Sequence, residues 1–139
     1  MREATREKKG SHSRDAFKFK HKPPRLPGWC YACDVDFALV SKAPPGVVAF
    51  VDYKVRGEKV LFSEVLAYNE LLSIAPVFII EGDYEADGPF DVLEYEGGDW
   101  RPEPPRVNTR SVLRMADWAM LSQWEQTLRN VYQAERVHA

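Results

Sequence analysis

Hydrophobic residues in this chain fall into short runs separated by turn-forming residues, a pattern that is typical of buried β-strands. Residues 29–41 and 47–55 form the two clearest runs, and the proline-rich stretch 44–46 predicts a tight connection between them. Both runs are rich in β-branched and aromatic residues, which favour strands. The pattern therefore predicts two consecutive strands that are neighbours in one sheet.

The rest of the chain alternates between strand and helix patterns. The elements predicted are a sheet-edge extension (60–62), a helix (64–72) capped by Ser63, a buried strand (76–81), an acidic loop (82–88), an edge or hairpin strand (90–95) ended by Gly97 and Gly98, a linker (101–110) and a long helix (111–135). The long helix carries one apolar stripe, formed by Leu121, Trp124, Leu128, Val131 and Tyr132. This order predicts an α/β fold with a mixed central sheet flanked by helices.

Charged residues interrupt both of the first two strands. Asp34 and Asp36 lie in the first strand, and Asp52 and Lys54 lie in the second. Since side chains alternate between the faces of a strand, residues two positions apart point the same way. Buried charges are costly unless they are paired or used, so we predict a functional site where the strands meet. The alternative is a buried ion pair that only fixes the strand register.

The formal net charge of −2 hides an asymmetry along the chain. Residues 1–28 hold nine Lys and Arg against three acids, whereas residues 29–139 hold ten against eighteen. This predicts a basic N-terminal arm, with a short helix over residues 1–9, followed by a single α/β domain. A basic arm favours a polyanionic partner, and a solvated tail is the alternative.

Composition narrows the class of protein further. No apolar run approaches the roughly 20 residues that span a membrane, and the N-terminus lacks the apolar segment of a secretory signal. We therefore expect a cytoplasmic protein with no membrane partner. Cys30 and Cys33 are expected to be buried thiols, because a zinc site needs two more ligands and the spacing of the three histidines, at positions 12, 21 and 138, matches no zinc-finger pattern. A zinc or thiol protein is the alternative.

The charged residues and the elements around them resemble the PD-(D/E)XK nuclease superfamily, which has the restriction-endonuclease-like fold. The resemblance covers residues 29–81. It rests on Asp36 in one strand, Asp52-Tyr53-Lys54 in the next, and the helix and strand that follow. The helix segment Glu64-Val65-Leu66-Ala67-Tyr68 is similar to the Gln-x-x-x-Tyr motif of some relatives, with Glu in place of Gln. The resemblance implies a restriction-endonuclease-like core and metal-dependent hydrolysis of phosphodiester bonds in DNA.

The resemblance also implies a role for each residue of the site. Asp36, Asp52 and the backbone carbonyl of Tyr53 would bind Mg²⁺ or Mn²⁺, for which carboxylate and carbonyl oxygens are suitable ligands. Lys54 would position the attacking water and stabilise charge on the phosphate. Support from the helix would come from Glu64 and Tyr68.

Several assignments remain open at this point. Asp34 is an alternative first metal ligand, and Glu3 or Glu7 could serve as the helix glutamate that many members carry before the first strand. RNA is an alternative substrate, and a homodimer is expected if two strands are cut. A non-catalytic binding or assembly subunit with a nuclease-like fold is the alternative function. The arm would hold the phosphate backbone through Lys18, Lys20, Lys22 and Arg25.

Overall fold

The computed structural model describes residue 33, residues 35–83 and residues 85–137. The chain divides into two units, Met1–Cys33 and Asp34–Ala139, and the second contains all the elements given below. The predicted N-terminal helix and basic arm therefore lie outside the described residues. So do several residues singled out in the sequence: Glu3, Glu7, Lys18, Lys20, Lys22, Arg25, Cys30 and Asp34.

A five-stranded mixed sheet and two helices make up the described part of the second unit. The strands are β1 (Phe37–Lys42), β2 (Pro45–Lys54), β3 (Val77–Gly82), β4 (Phe90–Asp99) and β5 (Arg106–Ala116), and the helices are α1 (Phe62–Leu71) and α2 (Trp118–Val137). The strands lie side by side in chain order. The predicted α/β class, with a mixed sheet and a long C-terminal helix, is therefore confirmed.

Strand directions bring the start of β1 and the ends of β2 and β3 to one end of the sheet. β1 and β2 form an antiparallel hairpin with Phe37 opposite Val51. Helix α1 crosses from β2 to β3, which is parallel to β2 with Lys54 opposite Glu81. Parallel strands need such a crossover because a tight turn cannot join them. β4 and β5 continue the sheet in antiparallel pairs.

The two helices cover opposite faces of the sheet. Side chains of β3 alternate between two hydrophobic clusters, as expected for a strand buried on both faces. Val77 and Ile79 pack in the cluster that includes α1. Phe78 and Ile80 pack in the cluster that includes α2, where the Phe78 and Trp124 rings lie 4.9 Å apart edge to face. The predicted third buried strand is therefore confirmed.

The C-terminal third differs from its predicted structure. The linker over residues 101–110 and the helix start at Ser111 are wrong, because Arg106–Ala116 form a strand paired with β4 and the helix begins at Trp118. Pairing with β4 satisfies backbone groups of the segment, an interaction with a distant partner that local periodicity does not reveal. The signal available in the sequence is the pair of β-branched residues Val107 and Thr109 two positions apart.

Strand β4 is longer than predicted and is not an edge strand. It continues past Tyr95 to Asp99 and pairs with β3 on one side and β5 on the other. The register shifts between Tyr95 and Gly97, where Gly97 has a φ of 111°. Glycine adopts this backbone conformation without the steric cost that a side chain would bring, so the strand bulges here instead of ending.

Helix α1 begins earlier than predicted. Its first residue is Phe62 and its N-cap position is Leu61, so Ser63 is not the cap and residues 60–62 do not extend the sheet. A leucine side chain cannot accept a hydrogen bond from the first turn. Glu64 Oε1 instead accepts a hydrogen bond from the Leu61 backbone N–H at 2.8 Å, and its charge suits the helix N-terminus.

The apolar stripe of α2 is narrower than the sequence predicts. Leu121, Trp124 and Tyr132 are buried against the sheet and Leu128 is half-buried. Val131, which lies on the same stripe by helical spacing, is 50% exposed, so the buried part of the stripe does not include it. Neither α1 nor α2 is long and apolar enough to cross a membrane.

Substitutions on α2 test which side chains stabilise the fold. Leu121→Ala should lower the free energy of unfolding by about 2–5 kcal/mol, because it leaves a cavity in the core. Val131→Ala should change it by less than about 0.5 kcal/mol, as is usual at the surface. Denaturant unfolding of both variants measures the difference. Equal losses would contradict the packing of α2 described above.

Candidate functional site

Five residues predicted for the site come together at one end of the sheet. The β1–β2 hairpin brings Asp36, directly before β1, beside the last residues of β2. There Asp36 Oδ2 accepts a hydrogen bond from the Tyr53 backbone N–H at 2.8 Å. Asp52 and Lys54 point to the same face of β2, the face that α1 covers.

Helix α1 supplies the other two residues, Glu64 and Tyr68. Side chains four positions apart lie on the same side of a helix, so both reach β2 together. The Tyr68 hydroxyl donates a hydrogen bond to Asp52 Oδ2, and the Lys54 ammonium donates one to Glu64 Oε2. The Tyr68 hydroxyl also lies 3.4 Å from Glu64 Oε2, which joins the two pairs into one network.

The network is almost completely removed from solvent. Asp52, Lys54 and Glu64 are 4%, 5% and 8% exposed, and Tyr68 is fully buried. Charges at this depth lose several kcal/mol of hydration each unless other groups replace the water. Among the described residues, every buried side-chain nitrogen and oxygen has a hydrogen-bond partner. The site is therefore held in one arrangement by contacts within the chain.

Carboxylates outnumber cations around Lys54. Its ammonium lies 3.9 Å from Asp52 Oδ2 and 3.5 Å from Glu58 Oε2, in addition to its contact with Glu64. Glu58 was not predicted as a site residue. Its signal in the sequence is its position four residues after Lys54, in the turn that follows β2. With Asp36 nearby, the site carries an excess of negative charge that favours a proton or a cation.

The shifted pKa values of Asp52 and Lys54 follow from this environment. Burial raises the pKa of Asp52 from 3.8 to about 7, and the neighbouring Asp36 carboxyl adds to the shift, while Tyr68 and Lys54 oppose it. Burial alone would lower the pKa of Lys54, but its hydrogen bond to Glu64 and the surrounding carboxylates raise it overall. Lys54 therefore stays charged, and Asp52 titrates near neutral pH.

Two carboxylates and one carbonyl are the oxygen groups of this site that could hold a metal. The Asp36 and Asp52 side chains are neighbours. The Tyr53 N–H bonds Asp36, and a strand residue directs its N–H and C=O to the same side, so its carbonyl faces that side as well. The described residues contain no group of three or more His, Cys, Asp and Glu side chains suited to a metal. Two carboxylates nevertheless fit Mg²⁺, which commonly keeps several waters.

Other predicted residues are not brought to this site by the described part of the chain. The arm residues and Asp34 lie outside it. Cys33 is exposed, so its prediction as a buried thiol is wrong, and Cys30 lies outside the described residues. The acidic loop after β3 forms a turn, in which Asp83 Oδ1 accepts a hydrogen bond from the Glu85 backbone N–H at 3.1 Å.

No family model, curated protein or solved structure matches this chain. The function therefore has to be inferred from the chemistry of the site.

The pKa of Asp52 predicts how stability depends on pH. A carboxyl whose pKa is higher in the folded state binds its proton more tightly there, so stability should fall as pH rises from about 4 to about 7. Asp52→Asn mimics the protonated carboxyl and should be more stable than the wild type at pH 8, on the order of 1–3 kcal/mol. The two proteins should be equally stable near pH 4. Denaturant unfolding in EDTA at several pH values measures this.

Asp91→Asn is a control, because the pKa of Asp91 is shifted in the direction opposite to that of Asp52. The Arg56 guanidinium and the Met115 backbone N–H hold the pKa of Asp91 below its usual value. That contribution to stability is present above the unfolded pKa and is lost as pH falls. The control should therefore lose stability at pH 8, where Asp52→Asn gains it. An Asp52→Asn protein that is less stable than the wild type at pH 8 would contradict the shift.

Proposed function

We propose that this protein is a metal-dependent nuclease that hydrolyses phosphodiester bonds in DNA, of the PD-(D/E)XK type with a restriction-endonuclease-like core. The observation that carries the proposal is the meeting of Asp36, Asp52 and Lys54 at one end of the sheet. Two residues of α1 complete the group, with Glu64 hydrogen-bonded to Lys54 and Tyr68 to Asp52. These groups come from three elements, and local sequence alone does not force them together. Buried ionisable groups with shifted pKa values often mark functional sites.

The order of elements supports the same proposal. The resemblance rests on an acid at one strand, Asp-x-Lys on the next, then a helix and a third strand. In this protein those strands are β1 and β2, the helix is α1 and the third strand is β3, parallel to β2. Asp36 directly precedes β1, and Asp52 and Lys54 lie on the adjacent strand β2, an arrangement that would let both acids contact one ion.

The proposed metal ligands are Asp36, Asp52 and the Tyr53 carbonyl. When bound there, Mg²⁺ would polarise the phosphate and make a coordinated water easier to deprotonate. The proton that Asp52 binds below its raised pKa would have to leave before both carboxylates could act as ligands. We therefore expect metal affinity to rise with pH through the pKa of Asp52, which is about 7.

The remaining residues have roles that follow from their contacts. Lys54 keeps its positive charge through its carboxylate partners and can stabilise negative charge on the phosphate. Glu64 fixes the direction of the ammonium, and Tyr68 fixes Asp52 through its hydroxyl. Glu58 is 47% exposed at its side chain and approaches Lys54 from the solvent side of the site.

We propose that the basic arm binds the DNA substrate through Lys18, Lys20, Lys22 and Arg25. The body over residues 29–139 has eight more acids than Lys and Arg, so it offers little attraction to a polyanion. Binding should then depend steeply on salt, as phosphate contacts release counterions. A homodimer would supply the second site needed to cut both strands of a duplex.

A second candidate function is a non-catalytic binding or assembly subunit built on the same fold. The observation that favours it is the tight pairing of Lys54, which is 5% exposed and in contact with Glu64. An ammonium that stays in this ion pair would stabilise the strand and helix and would not reach a phosphate.

Cleavage assays separate the two functions. Wild-type protein with Mg²⁺ or Mn²⁺ should cut single-stranded, duplex or branched DNA, and EDTA should abolish cutting. Lys54→Ala should lower the rate by about 100-fold or more, as expected for loss of a charge-stabilising group. Lys59→Ala, an exposed lysine five positions away, is the matched control and should cut normally. DNA binding without cutting in either metal would favour the non-catalytic subunit.

Metal binding can be measured without turnover. Mg²⁺ should raise the melting temperature of the wild type, because a ligand that binds only the folded state stabilises it by about 2.7 kcal/mol at 100 times its Kd. Asp36→Asn and Asp52→Asn should remove most of this effect, and Glu103→Gln, an exposed carboxylate elsewhere, should keep it. Calorimetric titration gives the stoichiometry. Equal responses in all four proteins would contradict the proposed ligands.

A further inference from the structure

Asn69, which follows Tyr68 on α1, connects the helix to β4 at a distance from the chemistry. Its side-chain amide pairs with both backbone groups of one residue, Gly98. Asn69 Nδ2 donates to the Gly98 carbonyl at 3.1 Å, and Asn69 Oδ1 accepts from the Gly98 N–H at 3.3 Å. The Tyr95 hydroxyl donates to the same Oδ1 at 2.6 Å. Three polar contacts thus converge on one half-buried side chain.

Strand β4 has backbone groups and space available for the Asn69 amide at Gly98. Its pairing with β3 ends at Glu94, so the backbone beyond that point can bond to another group on that side. Asn69 takes the place of the missing strand neighbour for Gly98. A Cβ on Gly98 would lie 2.5 Å from the Arg106 carbonyl oxygen, 2.9 Å from the Tyr95 hydroxyl and 3.2 Å from Val65 Cγ1. Only glycine therefore allows helix and strand to approach this closely.

Two aromatic rings lie between the Asn69 contact with β4 and the candidate site. The Tyr95 and Tyr68 rings lie 5.2 Å apart in an edge-to-face arrangement, and the Tyr68 hydroxyl binds Asp52. Burial raises the pKa of Tyr95 to about 12, so its hydroxyl remains a donor to Asn69 at all working pH values. Any rotation of Asn69 away from β4 would release the ring against which Tyr68 packs.

Directional contacts are needed here because apolar packing does not fix a rotation. Burial of Val65 and Tyr68 holds α1 on the sheet but is non-directional. Successive helix residues are about 100° apart, so a hydrogen-bonded side chain next to Tyr68 sets the angle at which Tyr68 faces β2. Glu64, one turn earlier on the same side as Tyr68, is oriented together with it.

We propose that Asn69 is a positioning residue for the site, which acts by fixing the rotation of α1 and thereby the placement of Tyr68 on Asp52 and Glu64 on Lys54. The expected effect of Asn69 on the cleavage rate rests on the proposed nuclease function. The expected effect of Asn69 on the placement of Tyr68 and Glu64 does not, so the nuclease proposal and the positioning proposal can fail separately.

The test compares Asn69→Ala with Asn130→Ala, an asparagine on the exposed side of α2. Rates are compared at equal concentrations of folded protein, and denaturant unfolding of each variant gives its folded fraction. Asn69→Ala should then lower kcat by at least about tenfold with little change in KM, since small displacements of catalytic groups reduce the rate strongly. Asn130→Ala should leave kcat unchanged. Asn69→Asp keeps the acceptor for Tyr95 and Gly98 and should recover part of the rate.

A second measurement shows whether Asn69 acts through Tyr68. Tyr68→Phe should lower kcat, and adding Asn69→Ala to it should cause a much smaller further loss than in the wild type. Fully additive losses would overturn the proposal. So would an Asn69→Ala protein that melts at lower temperature but keeps the kcat of the wild type, because Asn69 would then be only a stabilising residue.

Nuclear magnetic resonance provides the readout that is independent of activity. In protein with ¹³C-labelled tyrosine, Asn69→Ala should shift the ring signals of both Tyr95 and Tyr68, whereas Asn130→Ala should shift neither. A shift of Tyr95 without one of Tyr68 would overturn the positioning role. If the wild type cuts no DNA but both signals shift, the nuclease proposal fails and the placement of Tyr68 by Asn69 stands.

Discussion

Burial of an ammonium and two carboxylates between β2 and α1 constrains the rest of this structure. Lys54 and Asp52 lose their water when α1 covers β2, and the groups that replace it, Glu64 and Tyr68, both belong to α1. A strand and a helix that were docked differently would leave these charges without partners, at a cost of several kcal/mol each. The β2–α1–β3 crossover and the contact of Asn69 with β4 hold this one arrangement in place.

The excess of carboxylates at this site is unfavourable for the stability of the fold. Three carboxylates surround Lys54, and burial, with the neighbouring Asp36 carboxyl adding to it, raises the pKa of Asp52 to about 7. An apolar pair or a single ion pair would fill this space without the excess charge. Proteins keep such unfavourable groups mainly where chemistry needs them, and a divalent cation would relieve the repulsion that a proton relieves otherwise.

Prediction from the sequence succeeded where the signal was local. The runs that became β2 and β3 contain four or more consecutive apolar residues suited to a buried strand, and Glu64 and Tyr68 share a helix face by spacing alone. It failed at β5, where partner residues on β4 lie between 7 positions (Asp99 and Arg106) and 26 positions (Phe90 and Ala116) away in the chain, and where the segment's own pattern indicated a linker and a helix. The exposure of Val131 was not predictable for a related reason, because periodicity gives a stripe but not the width of the surface that covers it.

The sequence by itself determined the α/β class, the buried strand β2 that carries Asp52 and Lys54, and the residue types of the site. Alternation along strands and helices is a property of the local backbone, so these features follow from the order of residues. Tertiary structure alone decided that Glu58 joins Lys54, that Asn69 binds Gly98 and that Asp52 titrates near neutral pH. Each of these depends on burial and on distances between elements, which exist only after the chain has packed.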